Sequence, residues 1–101
     1  MGVEQTTVID AIGIDQVSGA VHLTIADALA WDAAHLRLLQ DKLNAYLAFV
    51  ESGELYSAYP SAAGRPVVLD LRLRHRPDAE ATRFLEQARA LIGETGIALH
   101  Y

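Results

Sequence analysis

The stretch Val67 to His75 alternates without a break: Val67, Leu69, Leu71 and Leu73 are interleaved with Val68, Asp70, Arg72 and Arg74. Side chains on a strand point to opposite faces in turn, so this pattern describes a strand buried on one side and wet on the other. It constrains the fold because parallel strands covered on both faces read instead as continuous apolar runs. A chain built around such a strand needs a sheet with one covered face and one open face.

The flanking segments supply the remaining layers. Val8 to Asp15 is rich in β-branched residues, and Gln16-Val-Ser-Gly19 is a turn signal before Ala20 to Asp27, where Val21, Leu23 and Ile25 alternate with His22, Thr24 and Ala26. From Trp31 to Ser52 the period changes to three or four, with Leu36, Leu39, Leu43, Leu47 and Val50 on one stripe widened by Tyr46 and Phe49. Asp27 and Asp32 compete as its N-cap, Trp31 reads as a staple packing back onto the first turn, and Gly53 is the stop. Residues 54–65 read as an irregular connection. A second helix follows from Ala79 to Ile92, ended by Gly93 or Gly96, and Ile97 to Tyr101 alternates as a last strand. The expected fold class is α/β, an α+β two-layer sandwich of order β-β-α-β-α-β: a four-stranded mixed sheet with two helices on one face. Right-handed crossovers place both helices on that face, with strand orders 1-2-3-4 and 2-1-3-4 both compatible.

At 101 residues the chain is a single domain, with residues 1–6 expected as a disordered tail. It has no cysteine, which excludes disulfides, thiolate chemistry and Cys-based zinc sites, and it shows no basic leader or long apolar run, so a cytosolic location away from membranes is expected. A net charge of −5 argues against nucleic acid. Six of the eight basic residues fall between Arg65 and Arg89, leaving an acidic first half suited to a basic partner.

Two constellations are candidates for function. The open sheet face would carry His22, Thr24, Asp70, Arg72, Arg74 and His100, a ligand or acid/base cluster if the register aligns them, or a solvated face in which Asp70 pairs with an arginine across strands. The end of the long helix and its connection carry Asn44, Tyr46, Glu51, Glu54, Tyr56 and Tyr59, with Arg65 as the nearby cation. These could line a cleft; equally, the tyrosines could cover the edge of the core. No catalytic residue is assigned: there is no Gly-x-Ser-x-Gly and no phosphate-binding glycine loop. No cofactor is expected, and His22, His35, His75 and His100 are too scattered for a metal.

Ile9-Asp10-Ala11-Ile12-Gly13-Ile14-Asp15, Leu23 to Asp27 leading to Trp31, Leu39 to Tyr46, Phe49-Val-Glu-Ser-Gly-Glu54 and Tyr59-Pro60 together resemble a family of small bacterial proteins, a domain of unknown function. The resemblance covers nearly the whole chain and implies a bacterial, cytosolic setting with no assigned activity. The reading that follows is a non-enzymatic interaction module, on the pattern of toxin-neutralising immunity proteins, with another protein or a second copy as partner. The alternative is a small-molecule binder or enzyme using the glutamates and tyrosines after the long helix.

Overall fold

Asp15 turns the chain for its first hairpin. Its carboxylate accepts the amides of Val17 (2.8 Å) and Ser18 (3.3 Å), and Gly19 closes the turn at φ +76°, a left-handed value that glycine adopts without steric cost. The computed structural model describes Gly2, Val3, Gln5 and residues 9–101. Strand β1 (Ala11–Ile14) pairs antiparallel with β2 (Val21–Asp27), which pairs in parallel with β3 (Val67–Leu73), and β3 with β4 (Ala98–His100). The order is β1-β2-β3-β4. Of the two compatible orders this one gives β2 a neighbour on both sides. That suits a strand whose Val21, Leu23 and Ile25 are completely buried, and it leaves the short, half-exposed β1 at the edge.

Helix α1 (Ala33–Glu51) joins β2 to β3, and α3 (Ala79–Gly93) joins β3 to β4. Leu39, Leu43 and Tyr46 of α1 and Leu85 and Ile92 of α3 share one core with Leu23, Ile25, Leu69, Leu71 and Leu99 of the sheet. Burying each such leucine contributes about 2 kcal/mol to folding. Asp32 caps α1, its carboxylate accepting the His35 amide at 2.7 Å, and Asp78 caps α3 through Ala81 at 2.8 Å. Asp27, the rival for the first cap, is buried and bonds elsewhere. Gly53 stops α1 at φ +85°.

Three expectations shift. The connection after Gly53 is not irregular: it forms a short helix α2 (Glu54–Ala58) and a 3-10 turn (Pro60–Ala62) that Pro60 opens. Leu55 and Ala62 are fully buried there, and tertiary packing stabilises turns too short to show a period of their own. The first strand, expected from Val8 to Asp15, covers only Ala11–Ile14, and Val8 lies outside the described residues. Asp10 ends the ladder because its carboxylate, in place of a strand carbonyl, receives the Ala26 amide at 2.9 Å. Of the expected tail, Gly2, Val3 and Gln5 are described, and Gly2 and Val3 pack inward, Val3 into the core; Met1, Glu4 and Thr6 lie outside the described residues.

Candidate functional site

The residues with the strongest chemistry are inside the fold. Lys42, on the core face of α1, is completely buried, and its ammonium donates to Gly2 O (2.9 Å), Gln5 O (2.7 Å) and Asp10 Oδ1 (2.9 Å). One turn on, Tyr46 donates its hydroxyl proton to Thr24 O at 2.5 Å and accepts the Asp10 amide at 2.8 Å. Together they bind the N-terminal segment, β1 and β2 to the long helix. Burial pushes the Asp10 carboxyl up, but the Gly2 amide, the Lys42 ammonium and the Ala26 amide outweigh it and hold the group below its ordinary 3.8. Burial, aided by the Asp10 charge and opposed by the hydrogen bond from the Asp10 amide, pushes Tyr46 up to about 12.

Both shifts contribute to how stability depends on pH. For Asp10 the folded value is depressed, so its contribution is complete above 3.8 and disappears as pH falls through the folded value. For Tyr46 the folded value is raised, so its contribution is complete below 10.0 and disappears as pH rises toward about 12. We expect Asp10→Asn to flatten the acid limb of a stability profile and Tyr46→Phe the alkaline limb. Urea midpoints across pH check both, and a Tyr46→Phe protein with an unchanged alkaline limb would show that another group controls it.

A second buried pair closes the junction of β2 and α1. His35 Nε2 lies 2.5 Å from Asp27 Oδ2 and Nδ1 lies 3.0 Å from Ala30 O, with both side chains almost fully buried. Trp31 stacks on the imidazole at a centroid distance of 4.0 Å and donates its indole N–H to His75 O at 3.0 Å. Trp31 is thus a staple, but onto a histidine. The sequence reading gave no role to Asp10 and Lys42, took Asp27 as a rival cap and weighed His35 only as a metal ligand; a lysine on the apolar stripe of α1, one residue from Leu43, was the one available signal.

The predicted constellations fare differently. His22, Thr24, Asp70, Arg72 and His100 do share the open face: Thr24 stands opposite Asp70, and Asp70 opposite His100. Arg74 lies just beyond the end of β3. Asp70 turns to histidine and not to arginine: its carboxylate lies 2.5 Å from His22 Nδ1 and 3.9 Å from His100 Nδ1. Nε2 of His22 faces Asp15 at 4.0 Å. Hydrogen bonds from the Val17 and Ser18 amides hold the exposed Asp15 carboxyl below its ordinary value. The result is a strip of imidazoles and carboxylates joined by one hydrogen bond, His22 to Asp70, and among the described residues no three His, Asp or Glu side chains are arranged to hold a metal ion.

The helix-end set is dispersed. Tyr46 is in the core. Glu51, Tyr56 and Arg65 line one cleft of about 280 Å³ with Val50, Pro66 and Thr95, and the Arg65 guanidinium there donates to Ser61 O (2.8 Å) and Gly19 O (3.1 Å). Asn44 lies in a different depression, and Glu54 and Tyr59 line neither. A family model matches residues 1–101. The chain belongs to DUF6572, a family of unknown function. No curated protein and no solved structure matches it. In this DUF6572 chain, no helix among the described residues is long and apolar enough to cross a membrane.

The depression that holds Asn44 is a groove of about 410 Å³ between α1 and α3. Leu43, Leu47, Phe84, Ala88 and Ile92 form its walls, Gln40, Asn44 and Gln87 give it an uncharged amide rim, and Leu91 stands at its edge 65% exposed.

Proposed function

We propose that this DUF6572 protein is a non-enzymatic, cytosolic protein-binding module that receives an amphipathic helix of its partner in the groove between α1 and α3. The observation that carries this reading is Leu91, a leucine left 65% exposed beside an apolar groove. Two helices lying on a sheet offer a third helix an apolar seat, and the amide rim can bond its polar face without a charge to desolvate. The buried dyads support a binding role over catalysis, since their hydrogen-bonding atoms are committed to holding elements together.

A photo-crosslinker at Gln87 will capture the partner in lysate, one at Ser57 will not, and Leu91→Glu will abolish capture while leaving the circular dichroism unchanged. Capture that survives Leu91→Glu would overturn the reading. The cleft of Glu51, Tyr56 and Arg65 favours a second, a small anion held by the guanidinium, although two of its donors already serve carbonyls. Arg65→Gln would then remove ligand-induced thermal stabilisation in a metabolite screen, and a stabilisation that persists would exclude that cleft.

A further inference from the structure

We propose that the outer edge of β4 is a docking site for an extended acidic segment of a partner protein, which joins the sheet as a fifth strand. This surface is separate from the groove between α1 and α3 and does not depend on it.

Among the described residues strand β4 has β3 as its one neighbour, so one side of its backbone faces no described strand. It also stops short: β4 pairs with Val68, Leu69 and Asp70, while β3 runs on to Leu73. An unpaired edge is a ready template for another strand. Here the edge has room beside it. Gly93, Gly96 and Ile97 line a groove of about 520 Å³ that follows β4 from Ala98 to His100 under the end of α3, with Arg89 at its rim. A Cβ built on Gly93 or Gly96 would meet nothing within 4 Å, so the two glycines leave the space open.

Charge selects the occupant. In a protein of net charge −5, this edge is rimmed by Arg89 and His100, and Arg72 lines the adjoining notch with Tyr101. Arg89 is held with its guanidinium 4.4 Å from the Tyr101 ring, a stacking that leaves its N–H edges for a carboxylate. Asp70, the one carboxylate side chain among these lining residues, is already engaged by His22. A strand laid beside β4 would direct alternate side chains to the open face, beside His100, and to the groove, where Arg89 at the rim meets acids. A second copy joined edge to edge would instead bring Arg89 toward its own equivalent, like charge against like.

Fluorescence anisotropy of the intact chain with fluorescein-labelled Glu-Val-Glu-Val-Glu-Val tests this. The acidic peptide should bind, more weakly as salt rises, with new amide hydrogen-exchange protection confined to residues 97–101. The Lys-Val counterpart should bind at least roughly tenfold more weakly, and an acidic peptide N-methylated along its backbone should not bind. Arg89→Glu, an exposed change, and Gly93→Leu, at a position without positive φ, should each weaken binding by roughly tenfold. No binding at millimolar peptide, equal binding of the two charges, or undiminished binding of the N-methylated peptide would overturn the proposal. Protection of β4 that grows with protein concentration alone would overturn it in favour of a second copy.

Discussion

Replacing Lys42 with methionine will destabilise the protein by about 3–5 kcal/mol, the cost of leaving one member of a buried ion pair behind. The ammonium is completely buried, and the side chain of its partner Asp10 is 3% exposed. Methionine fills much of the same volume, so the loss is electrostatic: Asp10 keeps the amides of Gly2 and Ala26 but loses its counter-charge, and the carbonyls of Gly2 and Gln5 lose a donor. For a domain of this size the melting temperature should fall on the order of 20 °C. Asp10→Asn in the Lys42→Met background should recover part of the loss, because the orphaned charge is then gone. Urea titrations of the four proteins in the cycle give the coupling, and a single-mutant loss under about 1 kcal/mol would show that the pair is not effectively desolvated.

His35→Leu should cost a similar amount, about 3–5 kcal/mol, for the same reason at the other end of α1. Asp27 would keep its contact with the Leu29 amide (3.2 Å) but lose the imidazole, and Trp31 would lose the ring on which it stacks. Both ring nitrogens of His35 face oxygen atoms, so the substitution removes both contacts at once. The double variant Asp27→Leu, His35→Leu should regain most of the stability, since apolar groups can replace a buried pair at little cost. As the single tryptophan, Trp31 reports the local change directly through its fluorescence. A double variant no more stable than His35→Leu would mean that Asp27 itself is needed at the β2–α1 junction, through its bond to the Leu29 amide.

The two pairs show where sequence reading stops. Period and punctuation found the strands and both long helices, because apolar spacing and glycine or aspartate signals are local: Asp32, Gly53 and Asp78 act within a few residues of themselves. The open face was legible for the same reason, as alternation assigns His22, Asp70 and His100 to one side. Which of them touch depends on register between strands distant in sequence, and the register gave Asp70 to His22 and not to Arg72.

The helix-end set is dispersed because neighbours in sequence separate in space. Tyr46 points into the core, Asn44 lines the groove between the helices, and Glu51 lines a different cleft with Arg65, since a helix distributes successive residues around its axis. Lys42 and Asp10 were passed over because each reads as an ordinary surface charge until it meets the other, thirty-two positions away. The sequence by itself determined the four strands and the two long helices, their order and the covered and open faces, because these follow from local periodicity and from the handedness of the crossovers. Only the tertiary structure decided strand order, the partners of the buried charges and the grooves on either side of α3, because these depend on long-range packing that desolvates a group and sets its partner at once.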